Sequence, residues 1–250
     1  MRKIILALFL VAIAFAGTAR AQAAYPDEYA LRPLLLPTEM LQLRVPVDFN
    51  ISDGADGKPV NIPLEIRIGL TSELELRIFH PVLGLCISGK PGCPKVYNDL
   101  AVGMLYSVMK ERGMELAVLG ALEVASFTSP AKLRLDAGVA FKYIQSQFSI
   151  ATSGYLGVGL NNRSNNGDAI FIPFEFAYQL TPAFALFGET GLYGSTKNFA
   201  NDWTMPLGVG INFLVRHAFD LGSEIKLNNA IGNGSSGSRL FLVYAAWRTQ

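Results

Sequence analysis

The chain has 250 residues, half of them apolar, with 24 glycines and a formal net charge of +1. So balanced a charge offers nothing that attracts nucleic acid. Beyond the N-terminal segment no window supplies the run of about 18 apolar residues that a membrane helix needs, so any crossing of a bilayer falls to strands.

Residues 1 to 23 read as a signal peptide. Arg2 and Lys3 form a positive start, Ile4 to Ala16 an apolar stretch, and Ala21-Gln22-Ala23 an A-x-A cleavage site. About 13 apolar residues are too few to span a bilayer, and no cysteine stands at the cleavage site to carry a lipid. Removing Arg2, Lys3 and Arg20 leaves 18 basic against 20 acidic residues in a mature chain of one barrel-sized domain. Residues 24 to 40 read as a periplasmic lead-in whose Pro26, Pro33 and Pro37 break regular structure. Residues 41 to 250 read as a transmembrane β-barrel.

The barrel reading rests on a period of two. Leu41 to Ile51 sets Leu41, Leu43, Val45, Val47 and Phe49 against Gln42, Arg44, Pro46, Asp48 and Asn50. Asn61 to Leu70 and Leu74 to Phe79 alternate the same way, carrying Glu65, Arg67, Glu75 and Arg77 on the polar side. Leu100 to Val108 and Met114 to Val124 follow, the latter with Glu115 and Glu123. Leu133 to Tyr143 sets Arg134, Asp136 and Lys142 against large apolar residues, and Phe148 to Leu160 has small residues inside. The hairpin from Ala169 to Tyr193 carries Glu175 and Glu189. Met205 to Phe213 alternates with Gly208 and Gly210, and the next strand places Asp220, Glu224 and Lys226 inside. Arg239 to Trp247 is apolar on both faces and the pattern does not orient it.

Twelve strands is an even count, as in single-chain bacterial barrels. Connections after odd strands are mostly long and polar (Ser52 to Lys58, Gly84 to Asn98, Asn161 to Asp168, Gly194 to Asp202, Asn228 to Ser238), the one near Thr128 to Ala131 being short. Those after even strands are tight, at Thr71 to Glu73, Glu111 to Gly113, Gln145 to Gln147, Thr181 to Ala183 and Arg216 to His217. Short periplasmic turns and longer outer loops give that sorting. Phe141, Tyr143, Phe148, Tyr178, Phe184, Phe213 and Phe219 flank the tight turns on the lipid-facing side, which reads as an interfacial girdle. Pro46, Pro63, Pro173 and Pro206 stand against the pattern, because a proline removes a ladder donor.

These features together resemble a Gram-negative outer-membrane β-barrel protein of porin-like type. The run Leu31-Arg32-Pro33-Leu34-Leu35-Leu36-Pro37 resembles the start of barrels found beside meta-pathway phenol-degradation genes. The resemblance implies location in the cell outer membrane, outer-membrane lipids and the barrel-assembly machinery as partners, and a small solute, aromatic or otherwise hydrophobic, as cargo. The chain departs from the pattern at its end, where Arg248-Thr249-Gln250 follow Trp247 instead of a terminal aromatic.

Candidate function lies in the inward set of Arg44, Asp48, Glu65, Arg67, Glu75, Arg77, Glu123, Arg134, Asp136, Lys142, Glu175, Glu189, Glu224 and Lys226. In an open pore these charges set selectivity; in a filled barrel they pair across the lumen and plug it. Cys86 and Cys93 flank a Gly/Pro turn in an exported chain and read as a local disulfide. No metal cluster, cofactor fingerprint or phosphate loop is expected. A lipid hydrolase needs a base beside its nucleophile on the lipid side. His80 has that parity but no serine beside it, and no G-x-S-x-G elbow occurs. The expectation is therefore a non-enzymatic channel.

Overall fold

A computed structural model describes residues 25–52, 58–81, 84–89, 93–95, 98–127, 130–233 and 238–249. The signal-peptide segment and its cleavage site lie outside the described residues. The segments with period-two patterning become strands: β1 (Leu41–Asn50), β2 (Val60–Ile62), β3 (Glu65–Gly69), β4 (Leu74–Phe79), β5 (Leu85–Ser88), β6 (Leu100–Glu111), β7 (Met114–Ser126), β8 (Lys132–Gln145), β9 (Phe148–Gly159), β10 (Ala169–Thr181), β11 (Phe184–Ser195), β12 (Trp203–Arg216), β13 (Phe219–Gly232) and β14 (Arg239–Arg248).

Each strand pairs antiparallel with its neighbour, and β14 closes on β1 from Gln42↔Arg248 to Asn50↔Leu240. β2 and β3 both pair with β1 and make one stave broken at Pro63 and Leu64. β5 continues the stave of β4 by pairing with β2. Among the described residues the ring is therefore a closed barrel of twelve staves, as the alternation predicts. Closure of β14 on β1 pairs the first and last staves, so the ring itself has no free first or last ladder edge among the described residues.

Tight turns gather at one end. Arg112 (φ 48°) and Gly113 (φ 79°) both take left-handed conformations, the geometry of a two-residue hairpin turn that matches strand twist. The long connections gather at the other end. Between them the outward residues form an apolar belt, with Val209 64 % exposed and Ile225 54 % exposed. On a soluble protein such a continuous surface would be an aggregation hazard; in a bilayer it is the contact surface.

The prolines sit where neighbouring ladders open. Pairing of β9 with β10 runs to Phe171↔Tyr155 and resumes at Phe174↔Thr152, passing over Pro173. Pairing of β11 with β12 lapses between Thr190↔Leu207 and Tyr193↔Thr204, beside Pro206, whose carbonyl instead accepts from Thr190 Oγ1 at 2.9 Å. Pro46 and Pro63 face each other across the lapse between Arg44↔Glu65 and Asp48↔Asn61. Pro46 needs no bulge in β1 to be accommodated: the stave beside it is the interrupted one.

β14, which the sequence pattern leaves without a direction, turns Tyr244, Ala246 and Arg248 inward, each at most 5 % exposed, and leaves Trp247 44 % exposed outside. The residue after Trp247 is an interior residue of the barrel.

Candidate functional site

The lead-in enters the lumen at the turn end. Its one regular piece is a single 3-10 turn, Tyr29–Leu31, and Ala30, Leu35 and Leu36 are buried. Prolines keep this segment from becoming a strand, so its backbone groups must bond to barrel side chains. Ala30 N donates to Gln179 Oε1 at 3.1 Å, Leu34 N to Glu115 Oε2 at 2.5 Å and Leu36 N to Glu75 Oε2 at 2.7 Å. Arg67 Nη2 donates to Leu34 O and to Glu75 Oε2, both at 2.8 Å. Tyr29 Oη donates to Glu175 Oε2 at 3.0 Å, and burial first, then the Glu175 charge, pushes its phenol well above the usual range, so it remains a donor. Arg32 grips Asp220 through two parallel bonds, and Arg248 pairs with the same carboxylate. The chain's non-aromatic end is thus part of the plug's seat.

The inward set is inside, as the parity requires. It divides into three groups and a remaining pair, Arg44 and Glu65. Glu75, fully buried between Arg67 and Arg77, belongs to the plug seat, together with Glu175. Lys142, 8 % exposed, lies in the electrostatic field of Glu175 and Glu115 at the same end. Toward the loops, Arg134 bridges Glu123 Oε2 at 2.5 Å and Asp136 Oδ1 at 2.9 Å. The third group, Asp48, Glu189, Glu224 and Lys226, faces the lumen from β1, β11 and β13, with Lys226 paired to Glu189. Arg44 stacks on the Tyr244 ring at 4.4 Å and stands opposite Glu65 in the ladder.

A row of luminal aromatics escaped the sequence reading. Tyr155, Phe171 and Tyr193 are register partners on β9, β10 and β11. The first two rings stack with centroids 4.9 Å apart, Tyr193 tilts onto Phe171 at 5.7 Å, and Arg134 lies over Phe171 at 4.8 Å. Their signal was an aromatic on the inward parity. Inward glycines on adjacent strands make room for such large groups: a Cβ on Gly210 would overlap the Phe187 ring, one on Gly222 the Tyr244 ring, and one on Gly138 the Tyr155 side chain.

Above the plug remains a cavity of about 560 Å3. Leu34 of the lead-in forms part of its floor, and Leu105, Leu119, Leu242, Phe79 and Tyr155 supply apolar wall. Its ionisable lining holds six carboxylates (Asp48, Glu65, Asp136, Glu175, Glu189, Glu224) against three permanent cations (Arg44, Arg77, Lys226) and His80.

No family model matches the chain, and no curated protein matches its sequence. Its shape, however, is shared with solved outer-membrane channels. NanC porin superimposes with a TM-score of 0.62 at 11% identity, over 82% of this chain and 98% of that one. KdgM porin gives 0.60 at 10% identity, over 84% and 99%. An outer membrane channel from Pseudomonas putida F1 gives 0.61 at 12% identity, over 91% and 100%. The fold is that of an outer-membrane porin-type barrel. Its apolar belt is the surface such a barrel turns to a bilayer.

Two sequence expectations meet the side-chain geometry. Cys86 and Cys93 form the disulfide, with Cα atoms 5.6 Å apart, tying β5 to the segment after it. His80 does not face lipid. It follows the end of β4, its Nδ1 lies 2.7 Å from Asp99 O and 3.3 Å from Asp99 Oδ1, and it borders the luminal cavity. Gly84 N donates to the same carboxylate at 2.8 Å, so Asp99 fastens the interrupted third stave. The parity of β4 does not carry past its last residue, because the chain leaves the ladder there.

Proposed function

We propose that the protein is an outer-membrane channel for passive, moderately selective passage of small solutes, with the turn end toward the periplasm and the lead-in as its stopper. The observation that carries this reading is the cavity above the plug, lined by both charge and apolar wall. A barrel built only as a scaffold would gain stability by filling that volume. Selectivity comes from the inward charges that stay beside the cavity, Arg44, Asp48, Glu65, Arg77, Asp136, Glu175, Glu189, Glu224 and Lys226. Tyr155 of the aromatic row, Phe79 and the leucines of the wall favour solutes with an apolar or aromatic body.

A second reading, a permanently plugged structural barrel, draws on the seat itself. Arg32 and Arg248 are buried and each pairs with the buried Asp220, so removing the plug would leave that acid with one partner fewer. Liposome swelling with graded neutral solutes separates the two. Proteoliposomes of the refolded protein that admit small solutes and reject larger ones support the channel. Vesicles that stay impermeable to every solute, with the protein shown to be folded, support the scaffold.

A further inference from the structure

On one side of the cavity three carboxylates, Asp48, Glu189 and Glu224, face one ammonium, Lys226, with the Arg44 guanidinium acting on Asp48 and Glu224 from the same lumen. The register places Asp48 of β1, Leu242 of β14 and Glu224 of β13 in a single row. In the next, Glu189 and Lys226 both stand opposite Gly208 of β12. A Cβ on Gly208 would overlap both glutamates, so the absent side chain lets them lean together. Lys226 is committed to Glu189. Asp48 Oδ1 and Glu224 Oε1 are buried with no hydrogen-bond partner among the described residues, and Glu224 is 4 % exposed while lining the cavity. Buried acceptors without a donor are costly, and buried carboxylates more so. Acceptors on a cavity wall take their donor from whatever fills it, water or solute.

We propose that this row is a binding subsite for an organic ammonium. The proposal deepens the channel reading and rests on it. An ammonium supplies the missing donors and charge together. A bare metal ion fits less well: among the described residues no three His, Cys, Asp or Glu groups converge closely enough to hold one. Leu242 stands between Asp48 and Glu224 and offers a seat for carbon rather than a further ligand. Tyr193 lies on the inward face of β11 four residues beyond Glu189, its ring tilted onto Phe171.

The test is isothermal titration calorimetry of the refolded mature protein in micelles, with empty micelles as the blank. The probes are 2-phenylethylamine, 2-phenylethanol and phenylacetate, which differ mainly in charge. The amine is expected to bind at least about tenfold more tightly than the alcohol, and phenylacetate not at all. Asp48→Asn with Glu224→Gln is expected to weaken the amine by about tenfold or more and leave the alcohol unchanged. Lys226→Met, which removes the resident cation, is expected to strengthen the amine and keeps the test open if the double variant does not refold. Equal binding of the three probes, or an amine affinity indifferent to either variant, overturns the subsite. Potassium chloride conductance of the same preparation tests the channel separately. A conducting barrel that ignores the amine refutes only the subsite, and a silent barrel that binds it refutes only the channel.

Discussion

Arg32 and Asp220 are joined by two parallel hydrogen bonds of 2.9 and 2.8 Å, from a lead-in residue to a barrel strand 188 positions later. The same carboxylate receives Arg248 of the closing strand. One acid therefore holds the plug and the C-terminal end of the barrel at a single point.

Replacing that acid leaves two buried guanidinium groups facing each other. Asp220→Ala is expected to lower stability by about 3–5 kcal/mol, the usual result of removing one partner of a buried pair. Arg32→Met removes the plug's charge but leaves the barrel pair intact, and it is expected to cost less. Urea titration followed by tryptophan fluorescence compares them; an equal loss in both would mean the plug contact is not separable from barrel closure.

Gly222 is the seat of the Tyr244 ring, whose hydroxyl donates to Asn212 Oδ1 at 2.8 Å. Gly222→Ala is expected to displace the ring and destabilise the barrel by about 1–3 kcal/mol, the range for overpacking. Gly188, on the lipid side with no close side chain, is the matched control, and Gly188→Ala is expected to change little. Thermal loss of the compact gel band reads both.

The disulfide is a local brace. Reduction of Cys86–Cys93 is expected to leave far-ultraviolet dichroism and heat-modifiable gel mobility unchanged, because β5 pairs with β2 and bridges Lys95 outside the ladders that close the ring. Proteolysis in the adjacent loop is expected to quicken. Collapse of the barrel signal on reduction would show that the loop supports the ring.

Val209, at the most exposed part of the belt, tests the lipid-facing assignment. Val209→Arg is expected to cost about 2–4 kcal/mol when the protein folds into bilayers, as charge on the lipid face does near mid-depth. No penalty there would place that face in water.

Much of the fold was legible because strand alternation is a short-range property. Leu133 to Tyr143 can be read as inside and outside from its own residues, and the barrel keeps that assignment from β8 through β13. The lead-in was not legible in this way. Its anchors Glu75, Glu115, Gln179 and Asp220 lie on four different strands, and only closure of the ring brings them together. β14 failed for a related reason: Tyr244 packs over Gly222 and Arg248 over its anchor, so its inner face is as apolar as its outer except at the end. The inward charges were found by parity, but parity could not tell Arg67, which holds the plug, from Arg134, which sits among acids and aromatics nearer the loops.

The proposed function requires a solute path through the barrel, stoppered by the lead-in. Single-channel conductance in planar bilayers tests it, comparing the refolded mature protein with a form lacking residues 25–37. Small or infrequent steps are expected for the whole protein and larger, steadier steps for the shortened one, with a preference for cations over anions from the carboxylate-rich cavity. A shortened barrel that folds and still never conducts would contradict it.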